Sequence, residues 1–131
     1  MYCLDTSIIV EFLRGNQKVI NKIKGIIQKG KKIAITTLTL CELYRGVYLC
    51  SKSELEEVKL DSFISTVDIL SLDIASSKLY GKYYYLLTKT GVKTQEIDLL
   101  IGCISIAVNS ILVTDNIKHF QKIPNIKLEV W

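Results

Sequence analysis

The opening stretch, Met1-Tyr2-Cys3-Leu4-Asp5-Thr6-Ser7-Ile8-Ile9-Val10-Glu11-Phe12-Leu13-Arg14, decides how the chain folds. Tyr2 to Leu4 reads as a very short apolar strand that ends at Asp5. A helix is expected from about Thr6 to Leu13, broken by Gly15-Asn16. A strand running straight into a helix is the first half of a βαβ unit, and the same succession recurs along the chain. Val19, Ile20, Ile23, Ile26 and Ile27 repeat at helical spacing until Gly30, and Ile33 to Thr36 reads as a buried strand. Helices are expected from near Thr39 through Tyr48, from Ser53 to Ile64, from Ile74 to Thr88 and from Gln95 to Val108. Strands are expected at Val67–Leu72, Ile111–Thr114 and Ile126–Val130, with a helical turn at Ile117–Gln121. Strands alternating with helices predict an α/β protein: a three-layer α/β/α sandwich around a mainly parallel central sheet.

Residues 1–131 have room for one core, and no repeat or linker interrupts them, so a single domain is expected. No secretory leader is expected, because Asp5 falls where a basic and then apolar stretch would be needed. The apolar run from Leu99 to Val113 is interrupted by Ser105, Asn109 and Ser110 and is too short to span a bilayer. The four cysteines, Cys3, Cys41, Cys50 and Cys103, form no CxxC pair, and their apolar neighbours suggest buried free thiols in a reducing cytoplasm. The net charge of +4 is unevenly placed: seven bases and no acid lie between Phe12 and Cys41, whereas Ser51 to Asp73 is acidic. A basic face suits an anionic partner such as nucleic acid, although for charge alone a lysine-rich chain solvating its helices is the better explanation.

In open parallel sheets, sites form at the carboxyl ends of strands. Asp5, then Thr6 and Ser7, follow the first strand, and Asp115-Asn116 follow Ile111–Thr114. Glu42 lies near the start of the helix after the second strand, and Asp98 near the start of the apolar helix. Each has an ordinary reading. Asp5 or Thr6 caps a helix, Thr39 and Glu42 form a capping box, Asp98 answers the helix dipole, and Asp115-Asn116 make a turn. Together they suggest more, because Asp98 within Ile97-Asp98-Leu99-Leu100-Ile101 and Glu42 between Cys41 and Leu43 are acids in apolar settings, where lone charge is costly. Carboxylates that repel one another are relieved by a shared cation. A set of oxygen donors points to Mg²⁺ or Mn²⁺, which activates water and steadies a leaving oxygen.

Rival chemistries lack their signatures. The chain has no GxxxxGK loop, no GxGxxG fingerprint and no GxSxG elbow. With His119 the only histidine, a histidine-based zinc site or a two-histidine ribonuclease mechanism is excluded. A phosphoaspartate enzyme would want a second Asp where Ser7 stands. His119 itself is expected to pack or cap beside Phe120.

The order of motifs resembles the PIN-domain family, and within it the VapC-type toxins of toxin–antitoxin pairs. The resemblance runs over nearly the whole chain: Leu4-Asp5-Thr6-Ser7, Phe12-Leu13-Arg14-Gly15, Glu42-Leu43-Tyr44-Arg45-Gly46, Ile97-Asp98-Leu99-Leu100-Ile101-Gly102, and Val113-Thr114-Asp115-Asn116 followed by His119-Phe120. Gly102 stands where the family has Ala. The resemblance implies an endoribonuclease that hydrolyses RNA phosphodiesters through a metal-activated water, with Mg²⁺ or Mn²⁺ as cofactor. Asp5, Glu42 and Asp98 would match the metal-binding acids. The fourth acid position falls on Asn116 while Asp115 takes the variable one, so both remain candidates. Thr6 and Thr114 would orient acids or phosphate. Arg14 and Arg45 would hold RNA phosphates or form helix-end or dimer-face salt bridges. Tyr80, Tyr83 and Tyr84 are expected to pack in the core and at a dimer face. The resemblance also implies a homodimer and a VapB-like antitoxin partner, with no membrane. Two alternatives stand beside it: a PIN nuclease of RNA maturation or quality control, and a non-catalytic RNA- or partner-binding PIN module.

Overall fold

Three short apolar runs make the centre of the sheet: β1 (Tyr2–Leu4), β2 (Ile33–Thr36) and β4 (Ile111–Thr114). Two further strands, β3 (Asp68–Leu70) and β5 (Leu128–Val130), flank them in this computed structural model, which describes residues 1–131. The strand order is β3-β2-β1-β4-β5, and every pairing is parallel. The two flanking strands are shorter than the apolar runs that contain them. Edge strands have one unpaired side, and keeping them short limits pairing with other chains.

The crossovers are helical: α1 (Thr6–Leu13), α2 (Gln17–Gln28), α3 (Thr37–Leu49), α4 (Ser53–Ile64), α5 (Ile74–Lys89), α6 (Glu96–Ala107) and α7 (Ile117–Phe120). Asn16 caps α2 with its side chain, and Gly30 leaves that helix at φ +68°, a conformation that disfavours any Cβ. Strand alternation splits the core in two. Leu4, Ile33, Ile35 and Val113 face α1 to α4, where they meet Ile8, Ile9, Leu43, Leu60 and Phe63. Cys3 and Leu112 face the other way and meet Tyr83, Leu99, Ile101 and Phe120 of α5 to α7. The result is the expected α/β/α sandwich, with a sheet that is wholly parallel.

Gly102 permits a close approach on the second face. A Cβ built there would lie 2.7 Å from Ile123 Cδ1 and 3.3 Å from Ile126 Cδ1, so the segment leading to β5 packs directly on α6. The thiols divide. Cys3 and Cys103 are buried, and burial pushes them up to about 12 and about 11, which keeps them protonated and inert. Cys41 and Cys50 are exposed, contrary to the expectation from their neighbours. On a helix adjacent residues point in different directions, so Leu43 and Val47 go to the core while Cys41 turns outward. No helix is long and apolar enough to cross a membrane.

Candidate active site

The strand order reverses between β1 and β4: the chain moves outward one way through β2 and β3, and the other way through β5. The crevice beyond the carboxyl ends of two such strands is the usual place for a site in an open parallel sheet. Asp5 ends β1 there, its backbone N–H donating to the Val113 carbonyl of β4 (2.9 Å). Its carboxylate does not cap α1. Instead Asp5 Oδ2 accepts from Thr114 Oγ1 (2.8 Å) at the end of β4 and from Ser7 Oγ (3.3 Å). Thr114 Oγ1 in turn accepts from the Asn116 backbone N–H (3.0 Å), so a short chain of hydrogen bonds holds Asp5 from the far side.

Glu42 arrives from α3. That helix begins at Thr37, two residues before the expected start, because Thr36 is its N-cap and accepts from the Thr39 N–H. The capping box between Thr39 and Glu42 therefore does not form. Glu42 Oε2 accepts instead from Thr6 Oγ1 of α1 (2.5 Å), which draws it to the same crevice. Asp98 comes from the first turn of α6 and is buried. His119 of α7 lies beside it, with Nδ1 3.0 Å from Asp98 Oδ2. The approach is that of an ion pair without hydrogen-bond alignment, and Oδ2 has no aligned donor.

The acids feel one another. Burial pushes the Asp5 carboxyl above the ordinary carboxylate range; the Thr114 hydrogen bond opposes this and the Glu42 charge reinforces it. Burial also raises Asp98, His119 opposes the rise, and the charges of Asp5 and Glu42 add to it. Sequence reasoning undervalued His119, which is exposed and adjoins Asp98 rather than packing beside Phe120. Its position in the short helix after β4, on the same sheet edge as the acids, was the available signal. Ser7, whose hydroxyl donates to Asp5 Oδ2, is a second residue that sequence reasoning did not assign to the site.

The other candidates are more dispersed. Asp115 is exposed on the turn after β4, and its carboxylate makes no hydrogen bond or ion pair. Asn116 is the N-cap of α7 without a side-chain capping bond. Arg14, nine residues along α1 from Asp5 and so about 13 Å away by helix rise, is exposed and paired with Glu11 at 3.5 Å. Arg45 is exposed one helical turn beyond Glu42 and forms no ion pair. Tyr83 is buried and its hydroxyl accepts from Asn125, whereas Tyr84 is exposed.

As placed, no three His, Cys, Asp or Glu side chains close around a common point for a metal ion. The donor chemistry nevertheless fits a hard divalent cation. Asp5, Glu42 and Asp98 offer carboxylate oxygens, and the charges of Asp5 and Glu42 both act against that of Asp98. None of the main cavities is lined by these acids, which stand at the carboxyl edge of the sheet.

Comparison with known proteins places this arrangement. The PIN domain family model matches residues 2–126. The chain belongs to the PIN-domain family. This PIN domain is 36% identical over 131 residues to ribonuclease VapC2 of Rickettsia felis, covering 100% of this chain and 98% of that one. It is 30% identical over 129 residues to ribonuclease VapC19 of Mycobacterium tuberculosis, covering 97% and 98%. Its fold matches a chain in the crystal structure of VapBC2 from Rickettsia felis bound to a DNA fragment from their promoter, with a TM-score of 0.92 over 99% of this chain and 98% of that one, at 36% identity. It also matches VapBC-1 from nontypeable Haemophilus influenzae, with a TM-score of 0.89 over 99% and 97%, at 26% identity.

Proposed function

We propose that this PIN domain is a metal-dependent endoribonuclease and the toxin half of a toxin–antitoxin pair. The observation that carries the reading is geometric: Asp5 stands at the reversal point of the sheet, bonded to Thr114 across it, and Glu42 of a third segment is tied to the adjoining Thr6. Full-length similarity to proteins named ribonuclease VapC supports it. Asp5, Glu42 and Asp98 would hold Mg²⁺ or Mn²⁺, with Asp115 or Asn116 completing the set. When bound, such an ion supplies an activated water and neutralises charge at the scissile phosphate.

The protein's own residues prepare the site. Thr114 and Ser7 both engage Asp5 Oδ2 and fix the orientation of its carboxylate. Thr6 holds Glu42, and His119 partly offsets the buried charge of Asp98. Arg45, exposed one turn beyond Glu42, would hold an RNA phosphate bidentately. Arg14 is already engaged by Glu11 and is the weaker candidate.

The proposed protein partner is a VapB-like antitoxin. A groove of about 450 Å³ between α1 and α4, walled by Phe12, Leu13, Val58 and Phe63, offers its chain an apolar seat. A second copy of this chain is the other proposed partner, through α5.

The test is cleavage of several structured RNAs by the purified protein in Mn²⁺, Mg²⁺ or EDTA, with the cut sites mapped. Metal-stimulated internal cuts are expected, and Asp5→Asn or Asp98→Asn should lower the rate by about 100-fold or more while the fold persists. Full metal-dependent cleavage by either variant would sink the mechanism. No stimulated cleavage of any RNA would favour a binding module. Growth arrest on expression, relieved by co-expressing a neighbouring small reading frame, would separate a toxin from a nuclease of RNA maturation.

A further inference from the structure

A second cavity, of about 450 Å³, lies on the flank of α6. Its walls are Tyr84, Leu87 and Thr88 of α5, Val92, Lys93 and Thr94 of the turn that follows, and Leu99 of α6. The acid cluster does not use it, and the α1–α4 groove lies on the other face of the sheet. We propose that this cavity receives a base of the RNA, next to the nucleotide whose phosphate meets the acids. The proposal rests on the ribonuclease reading above and assigns part of its specificity.

Position is the first argument. Leu99 follows Asp98 directly, with Cα atoms about 3.8 Å apart. Successive helical residues point about 100° apart. Asp98 therefore faces the acids while Leu99 faces α5, and the rim of the cavity is the first turn of α6. An RNA strand with one phosphate at the acids has a neighbouring base within reach of that rim.

The lining is the second argument. Recognition of single-stranded RNA combines stacking on aromatic rings, apolar contact with base faces, hydrogen bonds to base edges and a cation for phosphate. Tyr84 is 48% exposed, its ring tilted against that of Tyr80 at 5.8 Å, so part of the ring stays open. Leu87, Val92 and Leu99 supply apolar walls. Lys93 is the only charged residue in the lining, and it is positive. The Thr94 hydroxyl is buried and without a hydrogen-bond partner, and a rotation of its side chain would turn it to a base edge in the cavity. An apolar protein side chain would leave both Lys93 and Thr94 unanswered. The cavity volume lies within the range of about 300–1,000 Å³ typical of small-ligand sites.

Two measurements test the assignment, one of them independent of cleavage. The first is a titration of the methyl-labelled protein in EDTA with each of the four nucleoside 5′-monophosphates, followed by NMR. Shifts of the Leu87, Val92, Thr94 and Leu99 methyls are expected, larger for one nucleotide than for the others. The second is the cut-site preference on a randomised RNA for wild type, Thr94→Val and the cavity-filling Thr88→Phe, each checked for folding by its melting curve. Both variants should change nucleotide preference at a single position beside the cut, Thr94→Val by about fivefold, the loss of one hydrogen bond. Unchanged preference at every position, or no methyl shift with any nucleotide, would overturn the proposal. So would methyl shifts evoked only by a partner peptide, which would assign the cavity to a docking side chain. Should the protein cut no RNA at all, the ribonuclease reading fails by itself, and the titration still decides whether the cavity binds a base.

Discussion

At the scale of single residues the acids are held against their own preference. Asp5 and Asp98 are buried, and each has a carboxyl pushed upward by that burial and by its neighbours' charge. A raised folded-state value means that the native protein binds the proton more tightly than the unfolded chain does. The favourable contribution is fully present below the unfolded carboxylate range, about 4, and is lost as pH rises through the raised native value. Asp98→Asn, which cannot ionise, should therefore melt higher than wild type at pH 7, and the difference should shrink towards zero near pH 4. Melting curves at both values check this, and an equal gain at the two would refute it. Mg²⁺ should raise the wild-type midpoint and leave the variant nearly unmoved. Two neighbours matter by contact. Thr6→Val removes the only hydroxyl bonded to Glu42, and metal affinity measured by calorimetry should fall by about tenfold, as losses of outer-shell partners do. Gly102→Ala drives a methyl into Ile123 and should cost about 1–3 kcal/mol in denaturant unfolding, the usual range for overpacking.

At the scale of elements, direction matters more than composition. The basic run between Phe12 and Cys41 suggested a face for nucleic acid, but its last members, Lys31 and Lys32, immediately precede β2. They lie at the amino edge of a parallel sheet whose acids occupy the carboxyl edge, a strand length of about 13 Å away. Lys32 is moreover paired with Asp68 of β3 at 3.4 Å, an exposed pair of small energetic weight. Arg45 sits on the Glu42 side of α3 and is unpaired. Replacing Arg45 by Ala should weaken RNA binding by about tenfold, the loss of a charged hydrogen bond. The Lys31→Ala, Lys32→Ala double variant should change it by less than about twofold. Anisotropy of a labelled RNA on the Asp5→Asn background measures both, and equal losses would show that the two edges contribute alike.

At the scale of the whole molecule, several apolar side chains stay uncovered, among them two on one face of α5. On α5, Ile74 is 77% and Tyr85 59% exposed, and they fall on one face with Lys78 and Gly81, around whose Cα there is open space. Exposed apolar surface of this kind marks an interface more often than chance, and a second copy of the chain is the proposed occupant. Tyr85→Glu should convert a dimer into a monomer in sedimentation experiments. A wild-type monomer at micromolar concentration would remove the proposal. That face is distinct from the row Tyr84, Leu87, Thr88 and Gly91 that lines the α6 cavity, so both surfaces can be occupied together.

The opening strand and helix announced the architecture because their information is local. Apolar runs of three or four residues ending in Asp5 or Thr114, each feeding a helix, have few ways to bury both faces except a parallel sheet between helical layers. Asp5, Glu42 and Asp98 were singled out through their order and apolar setting, and their joint role remains the proposal made above. What the sequence did not determine was the use of each side chain. Capping Asp5, boxing Glu42 with Thr39 and packing His119 beside Phe120 are all locally reasonable. They lost to partners distant in the chain: Thr114 for Asp5, Thr6 for Glu42 and Asp98 for His119. Local rules rank bonds that a segment can make with itself. Only the folded sheet, by bringing the ends of β1 and β4 together, puts rival donors within about 3 Å, where a hydrogen bond forms.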